Sequence, residues 1–345
     1  MWQNFDSDET GVQIIFFKGE KYDFFGLVNG EDSSRVFSGL NTAGFGIVLN
    51  YVENIADDST TRPYAILVKN ALSRCSHIED FDPMWRDAQS NESNAAIACI
   101  DAYGGAVLYD TAGRYAADDP SASPEGFLVR ANFSFRSGQQ RDAGFWRYHR
   151  SRKLIRQKYR SINVKTTIQK ISRDVQSMEM DPSSLPARDE TAAFPAGYIR
   201  CEHTINQYNT VAGIVIHGVR VQENPDFATL WATLGQPLCG VAVPMWPATG
   251  ESPYECHGKK APLNALIQAN KRVIYNRKES RTLADINLLV NKNRGLLPML
   301  ARVEKKIFYD TQKALDQWRK QNDYLEEMID FQNRTATWVL GSIKY

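Results

Sequence analysis

Apolar positions along this chain change their period several times. The first fifty residues carry short runs rich in β-branched and aromatic residues: Val12-Gln13-Ile14-Ile15-Phe16-Phe17, then Tyr22-Asp23-Phe24-Phe25-Gly26-Leu27-Val28, then Val36-Phe37-Ser38-Gly39, then residues 44–50. Gly and Asn punctuate them, which predicts an antiparallel meander. Ala65, Leu67, Val68, Ala71 and Leu72 then share one face at helical spacing behind Pro63, predicting a helix. Residues 95–103, 106–109 and 127–135 return to strand, with a loop at 116–125. A helix pair is expected over 145–159 and 164–178, followed by the strongest breaker in the chain at 181–195. Strands resume at 198–203, 210–219 and 238–243, and 244–260 is rich in Pro and Gly. From Leu263 onward the pattern is mostly helical, with a stripe of Leu315, Trp318, Leu325, Met328 and Ile329. Strands, helices, strands, helices with little βαβ alternation point to a layered α+β fold with antiparallel sheets.

The length of 345 residues is enough to bury a full core in one large domain or two ordinary ones. A composition of 43% hydrophobic and 23% charged residues excludes disordered, collagenous and coiled-coil classes. No apolar run approaches the ~20 residues of a membrane helix, so no membrane partner is expected. The net charge of +1 is unevenly spread: residues 1–129 hold 20 acidic against 8 basic side chains, and residues 259–345 hold 17 basic against 9 acidic. No domain is basic enough to expect a nucleic-acid partner. The densest basic stretch, from Arg147 to Arg160, is a rival polyanion site or a solvated face. The five cysteines, Cys75, Cys99, Cys201, Cys239 and Cys256, have no CxxC spacing and read as small buried side chains. Dinucleotide, P-loop, zincin and α/β-hydrolase signatures are all absent. His217 sits in an apolar strand and reads as structural.

Three segments stand in order: Gln3-Asn4-Phe5-Asp6, then the stretch Gly39-Leu40-Asn41-Thr42-Ala43-Gly44 running on to Asn50, then Val129-Arg130-Ala131-Asn132-Phe133. In that order they resemble the N-terminal-nucleophile hydrolases of the acyl-coenzyme A:6-aminopenicillanate acyltransferase type. Choloylglycine hydrolases and penicillin V acylases are more distant cousins. The resemblance covers roughly residues 1–245.

That resemblance implies a four-layer αββα sandwich, two antiparallel sheets between helical layers, as one domain over residues 1–345, with the helical part at 263–345 completing it or forming the seam of a homodimer. It implies a cysteine amidohydrolase or acyltransferase that cleaves a linear amide in an N-acylated small molecule or peptide through a thioester, after autocatalytic maturation. An N-terminal thiol uses its own α-amine as base; Asp6 would orient that amine. Asn50 and Asn132 would donate to the oxyanion, and Arg200 would lie near the substrate. Asn41 reads as a turn residue. No metal or organic cofactor is called for.

The blander readings are a turn carboxylate for Asp6, a strand end for Asn50 and a core amide for Asn132. The pattern departs from the family at its start, where only five residues precede Asp6 and none is Cys, Ser or Thr. The family often has Arg or Lys where Gln3 stands. The expectation is therefore a longer natural chain whose nucleophile strand lies ahead of Met1, with export if that segment holds a signal peptide; the sequence as given is expected to be catalytically silent or poorly soluble. A nucleophile-less binding protein on the same fold is the alternative.

Overall fold

The computed structural model describes residues 1–8, 11–51, 58–88, 95–110, 113–132, 143–176, 197–258, 261–277, 280–291 and 294–345. In chain order the elements are β1 (Trp2–Asp6), β2 (Val12–Phe17), β3 (Phe24–Asn29), β4 (Ser38–Asn41), β5 (Gly46–Tyr51), α1 (Asp58–Arg74), α2 (Ile78–Ala88), β6 (Ala95–Ile100), β7 (Ala106–Asp110), β8 (Gly113–Ala116), α3 (Ala143–Lys158) and α4 (Val164–Thr166). There follow β9 (Tyr198–Arg200), β10 (Thr210–His217), β11 (Thr229–Thr233), β12 (Val243–Met245), α5 (Pro262–Ile274), β13 (Leu283–Asp285), α6 (Ile286–Val290), α7 (Leu296–Trp318) and α8 (Leu325–Ser342).

The expected meander is present as a seven-stranded antiparallel sheet in strict chain order from β2 to β8. A second antiparallel sheet has the order β1-β10-β11-β12, so the first strand of the chain pairs with residues more than two hundred positions away. Among the described residues no strand pairs with the other edge of β1. Pro244 sits in β12, the opposite edge, where its missing N–H breaks no ladder.

The inner faces meet where β1 packs on β5, and β10 and β11 on β4. The Phe5 and Phe37 rings lie 4.7 Å apart across this junction. Gly46 permits the approach of β10: a Cβ there would stand 3.0 Å from the Ile216 side chain. On the other side of the large sheet, α1 packs on β3, β4 and β5, and α2 on β7. Gly39 sets the α1 approach, since a Cβ would fall 2.2 Å from the Phe25 carbonyl oxygen and 2.6 Å from a Leu72 methyl. Beyond the small sheet, α8 packs on β12, and α5 and α7 on the turn Pro237–Cys239. The C-terminal stripe is core in part: Leu315, Trp318 and Met328 are buried with Phe227 and Trp246, while Leu325 is exposed.

Three expectations need correction. Residues 127–132 form no strand; Phe127 rests on the Tyr159 ring and Arg130 is drawn to Asp110, so their side chains serve loop contacts rather than a ladder. Residues 133–135 lie outside the described residues, as does the breaker at 181–195. The helix expected over 164–178 is only α4 running into one π turn, Thr167–Ile171. Val164, Thr166, Thr167 and Ile168 are β-branched and poor at sustaining a helix. Arg173 then turns inward to the carbonyls of Pro237 (2.7 Å) and Gly240 (2.6 Å) and to Glu304. The strand expected at 238–243 is mostly a 3₁₀ turn begun by Pro237, and the strand is Val243–Met245 instead. The strand expected at 198–203 is present as β9, whereas β11, β13 and α2 had no counterpart among the expectations, the two strands being only five and three residues long.

Candidate functional site

The site grows from β1. Alternation along the strand sends Gln3 and Phe5 toward the large sheet and Asn4 and Asp6 the other way. Gln3 is buried; its Nε2 donates to the Leu49 carbonyl at 2.5 Å and to Asn50 Oδ1 at 3.2 Å. A neutral amide therefore ties β1 to the end of β5. Asn4 Nδ2 donates to the carbonyls of Ser172 (2.8 Å) and Ile205 (2.9 Å), fixing the outward face.

A register shift between Phe5 and Asp6 marks the end of the ladder with β10. There Asp6 accepts from Gln207 Nε2 at 2.5 Å and from Thr210 Oγ1 at 2.6 Å. Burial pushes the Asp6 carboxyl up, and Arg147, the Thr210 and Gln207 donors and Lys271 pull against it. Lys271, from α5, is itself buried, and desolvation holds its ammonium below the ordinary value; its Nζ donates to the Tyr208 carbonyl at 2.5 Å and lies 4.1 Å from the Tyr208 ring centre.

Asn132 is held by two contacts. Its Nδ2 donates to the carbonyl of Tyr51, the residue after Asn50, at 2.6 Å, and its Oδ1 accepts from Arg147 Nη2 at 2.8 Å. Arg147 Nη1 also reaches Gln207 Oε1 at 3.4 Å. One chain of hydrogen bonds thus runs Asp6–Gln207–Arg147–Asn132–Tyr51, with Asn50 beside its end and joined to β1 by Gln3. Asp6, Asn50 and Asn132 are gathered around the β1–β5 junction.

Arg200 is not part of this assembly. It sits on β9, half exposed, with Glu202 at 3.6 Å. Asn41 is a turn residue: its Oδ1 accepts from Ala43 N and Phe45 N, and its Nδ2 donates to the carbonyls of Leu72 and Cys75. That uses its amide fully and clamps the β4–β5 hairpin, with Gly44 at φ +77°, to the end of α1.

A cavity of about 540 Å³ opens at the start of β1, against Met1, Trp2 and the end of β10. Its walls are mostly aliphatic, with Val48, Val107, Leu128 and Ile171 among them, and Asn50 and Arg130 supply polar atoms. Asp6 and Asn132 lie outside its lining. The five cysteines are all buried, and burial pushes each thiol up, Cys201 to about 11 and Cys75 to about 12. A thiol held protonated is a poor nucleophile. Among the described residues no three His, Cys, Asp or Glu side chains are grouped to hold a metal, and no helix is long and apolar enough to cross a membrane.

The basic stretch on α3 is largely engaged within the chain. Arg150 pairs with Asp174 at 2.6 Å, Arg152 and Arg156 pair with Glu125 at 2.7 and 2.9 Å, and Arg147 belongs to the network above. Sequence reasoning had no means to separate Arg147 from its neighbours, and Gln207, Thr210 and Lys271 carried no motif.

No family model and no curated protein sequence matches this chain. Among solved structures it is similar to a Caenorhabditis elegans N-acylethanolamine-hydrolysing acid amidase ortholog, at 15% identity and TM-score 0.37 over 65% of this chain and 86% of that one. It is also similar to penicillin V acylase from Agrobacterium tumefaciens (12%, TM-score 0.39, 71% and 81%) and to a mutant of conjugated bile acid hydrolase from Clostridium perfringens (12%, TM-score 0.34, 67% and 84%). These likenesses are distant, and the chain's own contacts carry the functional reading.

Proposed function

We propose that this chain is the body of a cysteine N-terminal-nucleophile amidohydrolase or acyltransferase acting on linear amides of N-acylated small molecules or peptides. The observation that carries this reading is the hydrogen-bonded chain that joins Asp6 to Asn132 and the Tyr51 carbonyl, with Asn50 next to Tyr51 in sequence and bonded to Gln3 of β1. In this reading the two sheets and the helices outside them form four layers. A strand from upstream of residue 1 pairs with the free edge of β1 and carries the thiol, freed by autocatalytic cleavage.

The chemistry then follows from the roles of the groups. The freed α-amine takes the thiol proton, the thiolate attacks the amide carbonyl carbon, and the amide oxygen becomes an oxyanion facing Asn50 and Asn132. The proton passes to the departing amine as the C–N bond breaks, leaving a thioester. Water, or an acceptor amine in transfer, then adds to the thioester, and the thiol is regenerated. Asp6 holds the α-amine in place from its two donors' fixed position, and Arg200 stands as a candidate contact for a distal part of the substrate.

The test is expression from the natural gene with its upstream DNA, followed by intact mass and amide-hydrolysis assays on an N-acyl amine panel. A mature chain starting at a cysteine, with a thioester adduct trapped at that residue, is the expected result. A mature chain starting at Met1 with no adduct would refute it.

The buried state of all five cysteines supports a second reading, a non-catalytic binding protein that keeps the cavity. It predicts ligand binding without turnover by the natural product of the gene.

A further inference from the structure

We propose that Arg147 is a positioning residue whose guanidinium sets the orientation of two amides at once, Gln207 and Asn132, and through them the donors presented to Asp6 and to the candidate oxyanion site. This rests on the functional reading of Asp6 and Asn132.

The argument is one of donor and acceptor inventory. A guanidinium only donates, whereas a carboxamide has a donating and an accepting end. The group facing Arg147 at 2.8 Å must therefore be Asn132 Oδ1, and the group facing it at 3.4 Å must be Gln207 Oε1. Each choice dictates the other end. Gln207 Nε2 is turned toward the Asp6 carboxylate at 2.5 Å, and Asn132 Nδ2 toward the Tyr51 carbonyl at 2.6 Å. An amide nitrogen carries two N–H groups, and the Tyr51 carbonyl takes one of them, so Asn132 keeps a second donor for an oxyanion. Without Arg147 the oxygen ends of both amides lose their donor, and their orientation rests on the Asp6 carboxylate and the Tyr51 carbonyl alone. The planar fork suits two acceptors on different elements, which a point-charge ammonium does not. Arg147 also contributes charge: it and Lys271 are the cations that face Asp6, from α3 and α5, with Thr210 and Gln207 as its neutral donors.

The test uses this chain labelled with ¹³C at the aspartate carboxyls and ¹⁵N at the side-chain amides. Asp6→Asn assigns the Asp6 signal, and Gln207→Leu and Asn132→Ala assign the two amides. Arg147→Met is expected to raise the pH midpoint of the Asp6 carboxyl by about one unit, the low end for loss of a near opposite charge, and to shift both amide NH₂ pairs. Arg147→Lys keeps the charge and is expected to leave the Asp6 midpoint within about 0.3 unit while moving at least one amide pair. Unmoved amide pairs in Arg147→Lys overturn the proposal even if Arg147→Met fails to fold, as do an unmoved Asp6 midpoint and amides in a folded Arg147→Met. None of these readouts needs turnover, so absence of amide hydrolysis in the natural gene product would sink the functional reading and leave this result standing.

Discussion

Replacing Glu304 by alanine should destabilise the fold severely, whereas removing its partner at the same time should not. Arg173 and Glu304 form an ion pair with side chains only 7% and 2% exposed. The guanidinium also donates to the Pro237 and Gly240 carbonyls, and Glu304 accepts from Gln169 Nε2 at 2.8 Å. Truncating Glu304 leaves a cation in the interior with two neutral carbonyls for company, and breaking a buried pair in this way costs about 3–5 kcal/mol. For a chain of this size roughly 2 °C of melting temperature accompanies each kcal/mol, so a fall of about 6–10 °C is expected. The double variant Arg173→Met, Glu304→Leu removes both charges and their desolvation, and should lie within about 2 kcal/mol of the parent. Urea unfolding of the parent, Arg173→Met, Glu304→Leu and the double variant closes the cycle, with Glu304→Ala measured beside them. A Glu304→Ala loss below about 1 kcal/mol, or a double variant as unstable as the worse single, would refute the reasoning. The pair matters to the site because Arg173 follows Ser172, whose carbonyl and hydroxyl hold Asn4 on β1.

The remaining predictions concern other parts of the same frame. A thiol reagent should label none of the five cysteines in the folded chain within the time that labels all five in denaturant, since burial pushes every thiol up; rapid labelling of any one would contradict the packing. Gly39→Ala should cost about 1–3 kcal/mol by overpacking between β4 and α1, read by urea midpoint, because the added methyl meets the Phe25 carbonyl rather than a flexible side-chain end. Asp6→Asn should flatten part of the acid pH dependence of stability. Burial raises this carboxyl above its ordinary 3.8, so the folded state binds its proton more tightly than the unfolded state. The parent should therefore lose stability from this group as pH rises from near 3.8 through the folded midpoint, and the variant should not, as melting temperatures across the range from about pH 3 to about pH 8 would show. Asn41→Ala should destabilise by several kcal/mol, since it orphans two buried carbonyls and two turn N–H groups together; a urea midpoint close to the parent's would contradict the clamp.

Much of the large sheet was legible because a meander needs only neighbours in sequence, and its β-branched runs and Gly-Asn turns announce themselves one strand at a time. The small sheet was not, since its order depends on pairing Trp2–Asp6 with Thr210–His217, and nothing local in either strand names the other. The helix expected over 164–178 shows the opposite failure, in which an amphipathic pattern was overridden by the inward pull on Arg173. At the candidate site, Asp6, Asn50 and Asn132 were singled out by an ordered pattern in the sequence. Gln207, Lys271 and Thr210 were not, because a residue that completes a hydrogen-bond chain needs only the right reach and polarity at its own place. Arg147 looked like one more charge in a basic helix; only the acceptors it meets set it apart from Arg150, Arg152 and Arg156.

The most direct test of the account is the mass of the acyl-enzyme. The natural gene product, expressed with its upstream DNA and mixed with an N-acyl amine, is quenched in acid and analysed by peptide mass. The account predicts a thioester on an N-terminal cysteine ahead of residue 1, absent in Asp6→Asn and Asn132→Ala variants. A product that turns over the amide through any of Cys75, Cys99, Cys201, Cys239 or Cys256, or that forms no acyl adduct at all, would contradict it.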